Sequence, residues 1–155
     1  MKTVSFEDEL NAHGKLVYTN VGTSMMPILR QHRDVMVIQK RPEGRLKKYD
    51  AVLYKRGGKY ILHRILKVTD TGYVICGDNC RKREYDIRDE NILGVLTAVV
   101  RDGREISVTD RGYLCYVHLW CDLFYLRAAV LWCRDILRRI KARLIRALRR
   151  LKTGK

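Results

Sequence analysis

The apolar period of this chain changes once, near Gly112, and the change separates two kinds of structure. Upstream, short runs rich in β-branched and aromatic residues alternate with Gly, Asp and Thr turns, which is strand chemistry. Downstream, residues 113–151 contain neither Pro nor Gly, and apolar residues recur at spacings of three and four. A length of 155 residues gives one domain with room for an appendage. The expected division is an N-terminal helix over 1–14, a β domain over 15–110 and a helical tail over 111–155. At 46% apolar residues the chain is too apolar for disorder, and two Pro exclude a proline-rich linker.

A short helix is expected over residues 3–13. Ser5 is its N-cap, and Glu7, Asp8 and Glu9 fall in the first turn, where the helix dipole favours negative charge. Phe6 and Leu10 share the inward face, and Gly14 ends the helix. Seven strands are expected, at 15–19, 34–39, 50–55, 59–68, 72–76, 92–101 and 104–108. Gly57-Gly58 makes a tight hairpin because both positions tolerate positive φ, and Asp70-Thr71-Gly72 and Asp102-Gly103 close two more turns. The pattern predicts a mainly β fold, a compact antiparallel sheet or partial barrel.

The charge is concentrated at one end. The whole chain carries +15, and residues 134–155 carry +9 of it, with only Asp135 opposing ten Lys and Arg. Ile136, Ile140, Leu144, Leu148 and Leu151 line one side of that helix and basic residues fill the other. Such a helix suits an anionic partner, a membrane surface or a nucleic acid, and its plain alternative is a solvated helix face. Residues 113–133 are long enough to cross a bilayer, but the energy disfavours it. Eight Leu, Val or Phe side chains contribute about −4 kcal/mol in all, whereas Asp122 and Arg127 cost roughly 2.5–3.5 kcal/mol each. A helix lying at the interface or packed on the body is expected, and a single span through 113–133 is the alternative. The first 30 residues contain no unbroken apolar run, which predicts neither a secretory signal nor an N-terminal anchor. Five Cys without an export signal read as reduced thiols in the cytosol.

Three short segments carry candidate chemistry. In Gly22-Thr23-Ser24-Met25-Met26-Pro27, the Gly frees the backbone before Ser24 and Pro27 biases Met26 to an extended conformation, presenting a hydroxyl from a loop. In the strand containing His63-Arg64, alternation puts Ile61, His63 and Ile65 on one face and Leu62 and Arg64 on the other. The third is the turn Gly77-Asp78-Asn79, followed by Asp86. Each alone reads as an ordinary loop, core or turn residue. Together they supply a hydroxyl nucleophile, a base and a carboxylate to orient the base.

These segments resemble the type I signal peptidase family, in the branch that uses His as the base. Ser24-Met25-Met26-Pro27 is similar to the motif around the nucleophile, and Asp34-Val35-Met36-Val37 and Asp50-Ala51-Val52 to its strand motif, with Arg33 and Tyr49 where the family carries Gly. His63-Arg64 resembles the base motif, Gly77-Asp78-Asn79 with Asp86 the acid motif, and Ile92-Leu93-Gly94-Val95 the closing strand. The resemblance covers about residues 18–100. It implies a signal-peptidase type of sheet and a serine endopeptidase. Ser24 would be the nucleophile, His63 the general base, and Asp78 or Asp86 the residue that orients it. Met25, Met26 and Pro27 would lie against the substrate, a precursor or leader peptide bound as an extended strand. The implied enzyme is bacterial, needs no cofactor or metal, and sits in the cytoplasm, held peripherally at the inner membrane face.

Other readings compete. A self-cleaving repressor of the Ser-Lys type would need a DNA-binding helix-turn-helix and a Lys at His63. Cys76 and Cys80 flank Asp78, but their spacing suits zinc poorly. Cys115, Cys121 and Cys133 sit among Leu and Trp, as packing residues do. The strands lack the basic and aromatic pattern of specific nucleic-acid recognition. An inactive peptide-binding protein on the same fold remains an alternative, as does a membrane-surface or nucleic-acid module working through the tail.

Overall fold

The computed structural model describes residues 5–153, with side chains over residues 5–148. Helix α1 spans Phe6–His13, and residues 3 and 4 of the expected helix lie outside the described residues. Its start is a capping box: the Asp8 amide donates to Ser5 Oγ at 3.1 Å, and the Asp8 carboxylate receives the Ser5 amide. Its end is Gly14 at φ +67°, whose amide donates to the Leu10 carbonyl.

Eight strands follow, β1 (Lys15–Thr19), β2 (Val35–Lys40), β3 (Ala51–Arg56), β4 (Lys59–Val68), β5 (Tyr73–Cys76), β6 (Glu84–Ile87), β7 (Ile92–Arg101) and β8 (Arg104–Ser107). They form one open antiparallel sheet in the order β1-β2-β7-β3-β4-β5-β6, with β8 on β7. The expected antiparallel architecture is therefore present as an open sheet, with an eighth strand, β6, that the sequence pattern does not mark. Gly57 and Gly58 adopt φ +54° and +76° and join β3 to β4 in the expected hairpin.

The sheet is buried on both faces. Leu10, Leu16, Met25, Leu29, Ile38, Leu53 and Leu96 make one apolar cluster, with Phe6 packed against it. Val52, Tyr54, Ile65, Tyr73 and Ile75 make a second. Helix α2 (Arg111–Asp122) covers part of the same body with Tyr113, Val117 and Cys121 against Ile28, Leu66, Ile106 and Val108. Its end is pinned where Lys48 Nζ and Tyr49 Oη donate to the Asp122 carboxylate at 2.7 and 2.8 Å.

The long helix expected over 113–151 is interrupted at Leu123, and α3 (Phe124–Thr153) begins after it. Two compact units, Met1–Asp122 and Leu123–Lys155, divide there rather than at residue 111. The reason is visible in α2, whose buried stripe belongs to the body. Among the described residues no single helix is long and apolar enough to cross a membrane. The stretch 113–133 approaches that only as two helices taken together.

Candidate active site

Ser24 lies in the turn that follows β1. The loop is braced from both sides. Asn20 Nδ2 donates to the Gly22 carbonyl at 2.8 Å and Asn20 Oδ1 accepts the Gly22 amide at 3.2 Å, a side-chain clamp that sets the loop before Ser24. Behind the loop, buried Asp34 accepts the Arg30 amide at 2.8 Å and Arg101 Nη2 at 2.6 Å. Burial works to raise the Asp34 carboxyl, but Arg101 and the Arg30 amide overcome it and hold it below its ordinary value.

The Gly77-Asp78-Asn79 turn, which follows β5, is tied directly to this loop. The Asn79 amide donates to the Ser24 carbonyl at 2.7 Å, and Asn79 Nδ2 donates to the Thr23 carbonyl at 3.0 Å. Gly77 is required by close approach. A Cβ there would lie 2.7 Å from the Ser24 carbonyl oxygen and 2.9 Å from both His63 Nε2 and Cys80 Sγ. These three atoms thus surround one point, and the ring of His63 faces the Ser24 backbone across Gly77.

His63 is 6% exposed, on β4. Its Nδ1 lies 3.0 Å from Glu84 Oε1 and 3.3 Å from Tyr54 Oη. Tyr54 Oη donates to Glu84 at 2.9 Å and Arg56 ion-pairs with the same carboxylate. A carboxylate only accepts, so Nδ1 carries the proton and Nε2 is left as the basic nitrogen. Burial holds His63 below its ordinary value of 6.5, and the nearby Glu84 charge offsets this only in part. Burial and Glu84 together push the Tyr54 phenol up, so it stays a donor.

The carboxylate that holds His63 is therefore Glu84, which motif order alone does not single out. Asp78 and Asp86, the expected orienting acids, do other things. Asp78 is fully buried and forms a two-point pair with Arg64, Nε to Oδ1 at 2.9 Å and Nη2 to Oδ2 at 2.7 Å. Helix α2 completes this knot. Arg64 Nη1 donates to Tyr113 Oη at 3.0 Å, Tyr116 Oη donates to Asp78 Oδ2 at 3.2 Å, and Trp120 Nε1 donates to the Asp78 carbonyl at 2.8 Å. Asp78 thus fixes the turn beneath Ser24, and its charge is matched by Arg64 rather than by His63. Asp86 is exposed at φ +58° on β6. Had residues 84–87 been marked as a strand, alternation would have offered Glu84 alongside Asp86.

Beside Ser24 an open cleft of about 450 Å³ runs between β1 and the β3–β4 hairpin. Met25, Met36 and Leu53 form its apolar floor, and Phe6, Tyr18 and Tyr60 its aromatic wall. Phe6 stacks on Tyr60 with ring centres 4.5 Å apart, and Glu7 ties α1 to the hairpin through Lys55 and Tyr60. Of the three expected substrate contacts, Met25 lines the cleft; Met26 and Pro27 are exposed and do not. Among the described residues no hydrogen bond joins Ser24 Oγ to His63. The arrangement holds a polarised imidazole, a backbone-pinned serine loop and an apolar cleft within one corner of the sheet. No family model, no curated protein and no solved structure matches the chain.

Proposed function

We propose that the chain is a serine endopeptidase of the signal-peptidase type, with Ser24 as nucleophile, His63 as general base and Glu84 as the residue that orients His63. The observation that carries this reading is the 3.0 Å contact of Glu84 with His63 Nδ1, which leaves Nε2 basic and turned toward the Ser24 backbone across Gly77. Ser24 Oγ attacks the carbonyl carbon of the scissile peptide bond as its proton passes to His63 Nε2. The imidazolium so formed is stabilised by Glu84, and the oxyanion by the Ser24 amide. The proton then passes from Nε2 to the leaving amine, the C–N bond breaks, and water releases the acyl group by the same route. The substrate is a precursor or leader peptide laid as an extended strand along β1, which ends the sheet order, with an apolar side chain in the cleft.

The first test is labelling of the purified chain by a fluorophosphonate probe. Wild type should label, Ser24→Ala and His63→Ala should not, and Glu84→Gln should label slowly. The missing hydrogen bond between Ser24 Oγ and His63 favours a second reading, a peptide-binding protein without activity. Catalytic contacts tighten when substrate binds, and labelling separates the two readings. A folded wild type that fails to label, with lipid supplied, while still binding a strand-forming peptide would establish the second reading.

A further inference from the structure

We infer that α3 is a surface anchor for anionic phospholipid bilayers, lying in the headgroup region with its apolar face down. This rests on α3 alone and not on the peptidase reading. At 100° per residue, Leu126, Val130, Leu137, Ile140, Leu144 and Leu148 fall within an arc of about 80° that runs the length of the helix. All six are exposed, from 48% at Ile140 to 66% at Leu137, so the stripe is not used inside its own unit. A solvated helix has no reason to keep such a stripe for six turns. The charge says what covers it. Lys141 and Arg143 flank the arc on opposite sides, where long side chains reach up to phosphate while their stems stay in apolar surroundings. Arg138, Arg139 and Arg146 fill the remaining face, and the only acid from residue 134 onward is Asp135. A second copy of α3 packed stripe to stripe would bring the flanking Lys141 and Arg143 toward their copies and leave the remaining cations without a counter-charge, and phosphate contact alone would leave the apolar stripe in water. An anionic bilayer satisfies both faces. The same cations bar α3 from crossing the bilayer.

The test is flotation of the full chain with vesicles of phosphatidylcholine, with and without about one third phosphatidylglycerol. Wild type should float with the anionic vesicles, and binding should weaken at least about tenfold in neutral ones. Leu144→Asp sits on the exposed face, so it should keep the fold by circular dichroism and lose binding. The triple change Arg139→Gln, Lys141→Gln and Arg143→Gln should weaken binding and reduce its salt dependence. Carbonate extraction should release the chain. Three results overturn the proposal: equal binding to neutral vesicles, no binding at all, or a concentration-dependent dimer that Leu144→Asp dissociates while vesicle binding is absent. Binding to RNA that survives Leu144→Asp, without flotation, would assign the helix to nucleic acid instead. Fluorophosphonate labelling of Leu144→Asp should equal wild type, so failure of the anchor and failure of the peptidase reading are seen separately.

Discussion

Glu84 Oε1 lies 3.0 Å from His63 Nδ1 although β5 separates their two strands in the sheet order. The contact forms because β6 lies past the end of the pinned turn and the Glu84 side chain reaches back, where Tyr54 and Arg56 also hold it. Glu84→Gln keeps the size and loses the charge that, on the proposed mechanism, would stabilise a His63 imidazolium. It should lower the rate of labelling, or of peptide cleavage, by about 10²–10⁴-fold. Asp86→Asn, at an exposed site, should stay within about twofold of wild type. Equal effects of the two changes would remove Glu84 from the mechanism.

The Asp78–Arg64 pair separates stability from chemistry. Both side chains are fully buried, and Asp78→Asn would leave the guanidinium without its counter-charge. The expected loss is about 3–5 kcal/mol of folding stability, read from urea unfolding. Glu84→Gln, in contrast, should change the urea midpoint little while activity falls. If Asp78→Asn were as stable as wild type yet inactive, Asp78 would be a chemical participant.

Gly77 is tested by adding one methyl group. Its Cβ would sit 2.7 Å from a backbone oxygen that cannot swing away and 2.9 Å from His63 Nε2. Gly77→Ala should therefore displace His63 or the Ser24 loop and abolish labelling, with the sheet intact by far-ultraviolet circular dichroism. Gly103→Ala, at the tip of the β7–β8 hairpin, is the comparison, and it should cost only its own turn strain.

The pH dependence has two windows with the same sign. Burial holds His63 below 6.5 in the folded chain, so the unfolded chain binds its proton first as pH falls. Stability should be unaffected by this group above about pH 6.5 and decline from there through the folded value. His63→Phe should flatten that part of a urea-midpoint profile taken between about pH 5 and pH 8. Asp34, held below 3.8 by Arg101 against its burial, adds a second loss at lower pH, as its carboxylate protonates. The acid limb of the activity profile should likewise lie below 6.5, because the base stays neutral there.

Local chemistry made much of the fold legible. The strands over 59–68 and 92–101, the Gly57-Gly58 hairpin, the Ser5 and Gly14 caps and the split of His63 from Arg64 across β4 all follow from pattern and turn residues. The missed elements depend on distant partners. Glu84-Tyr85-Asp86-Ile87 has weak strand propensity and becomes β6 only because β5 offers an open edge. The break at Leu123 carries no Gly or Pro to mark it. A glutamate beside a buried His cannot be told in sequence from one in solvent, since its burial comes from Tyr54 and the hairpin. Motif order pointed to Asp78, but Asp78 sits in the turn just past β5, whose last residue Cys76 pairs with Arg64, and there Arg64 takes its carboxylate.

Strand β7 has a consequence for how the chain is made. It pairs with β2 on one side and β3 on the other, so the sheet has no continuous backbone until residue 101 has been synthesised. Before then β2 and β3 each present an unpaired edge rich in Val, Ile and Leu, the kind of surface that recruits other chains. Helix α2 arrives later still, and with it the aromatic cover of the Arg64–Asp78 pair. The serine loop and the histidine both precede the strand that joins their halves of the sheet, so a nascent chain holds the two apart until β7 has been made.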